Sequence, residues 1–177
     1  MADQKRIIWE KEGAWRFEVE PRTKPDGRVA ERPVIRHPGA AVLVPLTAEQ
    51  DVLMIRQYRY AVDQVIWEVP AGTREWDEDW LVCAQRELRE EAGVRAKTFT
   101  HIVDFWPSPG LSDEVLRVYL AEGLIADPLP ADFDEQIEVV SVPLPEVVAM
   151  AYDGRLQDAK TIASILRTAH YLNQQRA

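Results

Sequence analysis

Three glutamates crowd one face of a segment patterned as a helix, and that crowding restricts what the chain can be. From Asp77 to Ala92 the apolar residues Leu81, Ala84, Leu88 and Ala92 recur at spacings of three and four, the stripe of an amphipathic helix. Asp77 or Asp79 supplies its N-cap, and Gly93 suits the left-handed position just past its end. On the polar side Glu87, Glu90 and Glu91 stand at i, i+3 and i+4, so their carboxylates converge, while Glu78 sits at the opposite end of the same helix. Like charges so spaced cost ~0.2–0.5 kcal/mol each. Near a helix C-terminus the dipole disfavours anions as well. Arg86 and Arg89 can pair with some of the acids. A hard divalent cation, which takes oxygen ligands and keeps water and phosphate in its shell, satisfies the rest. A merely solvated acidic face is the common outcome for such a helix, so residue order has to decide between the two.

The chain around this helix reads as one α/β domain with a mixed sheet in layers. Its 177 residues are 46% hydrophobic and 29% charged, which excludes disorder as the dominant state. No apolar run approaches the ~18 residues of a membrane span. The start, Met1 to Arg6, lacks the apolar core of a signal peptide. The single cysteine, Cys83, can form neither an intrachain disulfide nor a thiolate metal site and reads as a small core residue, so the expected address is the cytoplasm. A net charge of −9 repels nucleic-acid backbones. It also requires that any polyphosphate substrate meet bound cations or clustered arginines. Neither a nucleic-acid nor a membrane partner is expected.

Turns are expected at Pro21 to Gly27, Pro38-Gly39, Pro107 to Gly110 and Pro128 to Pro130. Trp15 to Val19 alternates like a half-buried strand, and Ala40 to Leu46 is a continuous apolar run with Val52 to Ile55 as its hairpin partner. Val65 to Val69, Val115 to Leu120 and Ile137 to Val142 read as further strands. Helices are expected over 145–152 and 157–173, the latter burying Ile162, Ile165, Leu166, Ala169 and Leu172.

Gly72, five residues, Glu78, seven residues, then Arg86-Glu87-Leu88-Arg89-Glu90-Glu91-Ala92-Gly93-Val94 matches G-x5-E-x7-R-E-U-x-E-E-x-G-U, U being aliphatic, at all nine specified positions. That order resembles the Nudix box, and the chain resembles a Nudix hydrolase. The resemblance implies a Nudix-type α/β/α sandwich with an N-terminal antiparallel strand arm (1–38, a dimer contact) ahead of a catalytic domain (39–177). It implies a loop-helix-loop that binds Mg²⁺ or Mn²⁺ and hydrolyses a nucleoside diphosphate linked to another moiety. Glu87, Glu90 and Glu91, with the Ala71 carbonyl, correspond to metal ligands. Arg86 corresponds to the residue that orients the glutamates, with Glu78 supporting it and Gly72 and Gly93 holding the loop turns.

Flanking residues resemble the ADP-ribose pyrophosphatase group: Arg56-Gln57-Tyr58-Arg59, Trp67-Glu68-Val69-Pro70-Ala71-Gly72, and Pro107-Ser108-Pro109-Gly110-Leu111-Ser112-Asp113-Glu114. The implied reaction converts ADP-ribose to AMP and ribose 5-phosphate. Enzymes of GDP-mannose and UDP-glucose share parts of these segments, and a non-catalytic nucleotide-sensing module is the contrasting class. In that group a loop acid outside the box acts on the water; Glu135 fits best, with Asp132, Asp134 and Glu138 as alternatives. Arg36 and Arg59 are either phosphate ligands, since guanidinium binds phosphate in bidentate fashion, or structural ion pairs. Trp15 either stacks on a base or packs in a core or dimer interface, the resembling enzymes exchanging this arm between subunits of a homodimer. Trp106, Ser108 and Glu114 are further substrate candidates. Trp76 and Trp80 replace the small residues usual within the box and are expected to reshape the pocket rim.

Overall fold

The computed structural model describes residues 5–130 and 136–176. Three strands, β1 (Arg6–Glu10), β2 (Arg16–Thr23) and β3 (Val29–Arg36), form an antiparallel sheet of their own. Pro21 lies within β2 rather than in the expected turn, which shortens to Lys24–Arg28. Among the described residues the pairing of β1 with β2 runs to Arg6↔Val19, and Pro21 is paired with Glu31 of β3 alone, a one-sided position that tolerates a missing N–H.

β4 (Ala40–Pro45) is buried throughout because it sits inside a four-stranded mixed sheet ordered β7-β4-β10-β9, from β7 (Ala71–Thr73), β9 (Thr98–Phe105) and β10 (Leu116–Glu122). β4 and β10 run parallel. Alternate residues serve opposite faces. Ala41, Leu43, Tyr119 and Ala121 meet Cys83, Ala84, Leu88 and Ala92 of α1 (Trp80–Ala92). Val42, Val44, Val118 and Leu120 meet Val147 and Met150 of α2 (Leu144–Asp153) and Ile165 of α3 (Ala159–Arg176). This is the α/β/α sandwich, and a strand covered on both faces is why β4 reads as an unbroken apolar run.

The expected hairpin between Ala40–Leu46 and Val52–Ile55 does not extend past its turn. Thr47 and Asp51 close that turn, and the strands meet at the single bridge Leu46↔Val52. Both edges of β4 are taken by β10 and β7. β5 (Asp51–Arg59) therefore leaves to form a separate antiparallel sheet between β6 (Gln64–Glu68) and β12 (Ile137–Pro143). Short strands β8 (Val94–Arg95) and β11 (Ile125–Ala126) pair beyond α1.

Candidate active site

α1 begins at Trp80, with Asp79 as its N-cap accepting from the N–H groups of Leu81 and Val82. Glu78 thus precedes the helix instead of occupying its first turn. The left-handed Gly93 ends it, at φ 68°. Between these caps the motif acids surround one arginine. Arg86 grips both oxygens of Glu78 at 3.1 Å and donates to Glu87 at 2.6 Å, to Glu90 at 3.0 Å and to the Thr73 carbonyl. Burial works against the Glu78 charge, but the Arg86 hydrogen bonds outweigh it and hold the carboxyl below its ordinary range. The same acids push the Arg86 guanidinium further from deprotonation against the burial that opposes them.

Gly72 lies in strand β7, not in a turn, and its role is one of space. Glu87 packs onto it so closely that a β-carbon there would fall inside the carboxylate. Glu91, buried, accepts the Ala71 N–H at 2.8 Å. Thus β7, the edge strand beside β4, sets both glutamates relative to the Ala71 backbone. Among the described residues no three acids or histidines are gathered as a complete metal-binding set, since Arg86 draws on Glu87 and Glu90. The donor chemistry still suits a hard cation: carboxylate oxygens on one helix face, a backbone segment two residues wide, and a glycine that makes room for one of the carboxylates.

Two adjoining clefts open here and share Arg59 and the Ala71–Thr73 strand. One, of about 470 Å³, runs past Arg74, Glu75, Arg86 and Glu87 to the β1–β2 turn, Lys11 to Ala14. The arm therefore walls the cleft of its own chain, where the resemblance implies a wall supplied by a partner subunit. The other, of about 430 Å³, is lined by Glu68, Glu114, Asp158 and Lys160 among others. Burial raises the Glu114 carboxyl above its ordinary value, with the Lys160 charge opposing.

Of the two arginines left open, Arg59 lines both clefts and is also ion-paired there, to Glu68 at 2.6 Å. Arg36 is taken up by the ion-pair alternative: it meets Glu20 at 2.6 Å, Asp113 at 2.7 Å and Glu18 at 3.5 Å, tying the arm to the loop after Pro107. Trp15 packs on Trp9 with ring centroids 4.8 Å apart, outside both clefts. Trp106 is 63% exposed and lines neither. The Ser108 carbonyl closes its turn by accepting from Leu111 and Ser112, leaving the side chain exposed. Trp76 and Trp80 serve packing rather than the rim. Arg16 of the arm lies over Trp76, and both Arg74 and Arg117 lie over Trp80, whose ring fills the space beside Gly39. Glu138, an alternative acid, pairs with Arg56 at 2.9 Å. Asp132, Asp134 and Glu135 lie outside the described residues. Lys11, Glu68, Asp158 and Lys160 were not singled out from the sequence as site residues; Asp158-Ala159-Lys160-Thr161 reads there only as a helix start.

The NUDIX domain model matches residues 36–165, which include the whole carboxylate cluster and both flanking sheets. The chain belongs to the Nudix family, and with the motif complete it is a Nudix hydrolase. It is 37% identical to an ADP-ribose pyrophosphatase of Bacillus subtilis (strain 168), over 83% of this chain and 80% of that one. It is 34% identical to a methanol dehydrogenase activator of Bacillus methanolicus, over 92% and 86% respectively. A solved structure described as an ADP compounds hydrolase superposes with a TM-score of 0.82 over 97% of this chain and 93% of that chain, at 18% identity, a likeness of fold.

Proposed function

We propose that this chain hydrolyses ADP-ribose, adding one water across its diphosphate to release AMP and ribose 5-phosphate. The observation that carries the reading is the juxtaposition of the motif carboxylate Glu87 with Arg59 across the Ala71–Thr73 strand, which puts an anionic cation-ligand and a phosphate-binding guanidinium on one cleft. Glu87, Glu90, Glu91 and the Ala71 carbonyl would hold Mg²⁺ or Mn²⁺. When bound, such a cation neutralises diphosphate oxygens and lowers the pKa of a coordinated water. Arg86 gathers Glu78, Glu87 and Glu90 so that their charges share one orientation. Arg59 binds phosphate oxygens, and Glu114, whose carboxyl burial raises above its ordinary value, hydrogen-bonds a sugar hydroxyl. Glu135 takes the proton of the attacking water. A divalent cation and Arg59 together reverse the sign that a net charge of −9 imposes on an anionic substrate.

The protein acts in the cytoplasm as a homodimer. The apolar residues the arm exposes, Ile7, Ile8, Trp9 and Val29, form the contact between copies. The test is product detection with Mg²⁺ and Mn²⁺ across ADP-ribose, GDP-mannose, UDP-glucose, NADH and diadenosine polyphosphates. Preference for ADP-ribose with AMP as product is expected. Preference for another member keeps the chemistry and replaces the substrate. Tight metal-independent binding without product puts a sensing module in its place.

A further inference from the structure

Glu68, the residue that ends β6, is 1% exposed and carries two cations. Arg59 donates to both of its oxygens, at 2.6 and 2.7 Å. Lys160 of α3 donates to the same carboxylate and, at 2.8 Å, to Asp158. Lys160 is itself held in place. Asp158 accepts the Thr161 N–H at 3.0 Å and its hydroxyl at 2.6 Å, and the Thr161 hydroxyl oxygen accepts the Val69 N–H at 3.0 Å. The start of α3 therefore grips β6 at Glu68 and the chain beyond it at Val69, two residues before the backbone N–H that orients Glu91.

The charges in this cluster balance as Glu68 and Asp158 against Arg59 and Lys160. A buried carboxylate facing a single cation absorbs most of that cation's field. With Lys160 sharing Glu68, the guanidinium keeps charge for a ligand. Among the described residues two of the five donors of a guanidinium are spent on Glu68 and three remain. The field of Glu91 reaches Arg59 as well, which places it beside the motif.

We propose that Lys160 is a positioning residue for Arg59. It neutralises the inner side of Glu68 and so fixes the guanidinium at the cleft with its charge available to the substrate diphosphate. The kinetic part of this inference rests on the hydrolase reading above; the structural part does not. Both parts are tested in the full-length protein with Lys160→Met, Lys160→Arg and Arg59→Ala. In the free protein, the Arg59 Nε–H resonance, assigned by its loss in Arg59→Ala, is expected to exchange with water about tenfold faster in Lys160→Met and to regain protection in Lys160→Arg. With ADP-ribose, Lys160→Met is expected to raise KM about tenfold with kcat within about threefold, Lys160→Arg to restore KM, and Lys160→Met to add nothing further in the Arg59→Ala background.

Unchanged Nε–H protection in Lys160→Met overturns the proposal. So do KM effects that multiply in the double variant, or a loss confined to kcat. A wild-type protein inactive on ADP-ribose refutes the substrate reading instead, and the exchange measurement then decides the positioning role alone. Should Lys160→Met fail to fold, Lys160→Gln, which keeps a donor but removes the charge, takes its place in every comparison.

Discussion

Gly72→Ala separates the placement of one carboxylate from the integrity of the fold. Gly72 pairs with Ala41 in the sheet, and its φ is not among the positive ones, so the strand accepts an alanine backbone. The added carbon would fall 1.8 Å from Cδ of Glu87 and 2.0 and 2.1 Å from its oxygens. Ordinary contact starts at 3.4 Å, so the carboxylate must retreat by 3.4 − 1.8 = 1.6 Å. It is the end of a flexible side chain and moves before the backbone does. Leaving Arg86 costs ~1 kcal/mol at most for a partly solvated pair. The stiffer unfolded chain returns ~0.4–1 kcal/mol. The two nearly cancel, and the melting temperature is expected to stay within about 4 °C of the wild type. Catalysis has no such compensation, because misplacing a group by about 1 Å costs on the order of 100-fold. The assay pairs thermal denaturation followed by circular dichroism with AMP release at saturating Mg²⁺. Turnover within about threefold of wild type would refute the role given to the Gly72–Glu87 contact, and an unfolded variant would refute the claim that the side chain yields first.

Glu91→Gln keeps an oxygen for the Ala71 N–H but loses the charge, so kcat should fall by about two orders of magnitude or more at an unchanged melting temperature; near-normal turnover would remove Glu91 from the ligand set. Cys83 is fully buried and burial pushes its thiol up to about 12, so a thiol reagent at pH 8 should label the folded protein no faster than it unfolds, as mass spectrometry would show. Asp104 is held below its ordinary 3.8 by Arg117, with burial opposing and His101 adding to the effect. Its contribution is therefore complete above 3.8 and is lost as pH falls through the depressed folded value. Urea melts should show Asp104→Asn less stable than wild type at neutral pH, with the difference shrinking as pH falls below 3.8; a constant difference would break the assignment.

What could be read from residue order was whatever repeats locally. The face shared by Glu87, Glu90 and Glu91, the cap at Gly93 and the doubly buried β4 all follow from periods of 3.6 and 2. Asp79 rather than Asp77 as the cap is a shift of two residues, decided by which aspartate reaches the Leu81 N–H. β3 was missed because Val29–Arg36 carries Pro33 and alternating charges, a composition that only an edge strand tolerates. β9 was missed because its residues are only partly buried, on both faces, and a register shift in its pairing with β10 breaks the alternation.

The roles of the arginines were not legible for a different reason. Arg36 and Arg59 are indistinguishable as sequence, and what separates them is where they stand: Arg59 lines both clefts and Arg36 neither. Arg36 spends itself on Glu18 and Glu20 within the arm sheet and on Asp113, the contact that holds that sheet to the domain. Arg59 hydrogen-bonds one carboxylate among the described residues, which a second cation already shares, and that cation arrives from 92 residues away. A pairing at such separation has no period and no spacing to betray it. The relevant quantity is the donors that neighbours leave unspent at the cleft, and in an acidic chain it decides which basic residues remain able to meet a phosphate. Among the described residues Arg59 donates to Glu68 alone, a carboxylate that Lys160 shares, whereas Arg36 divides its donors between Glu20 and Asp113 with Glu18 close by.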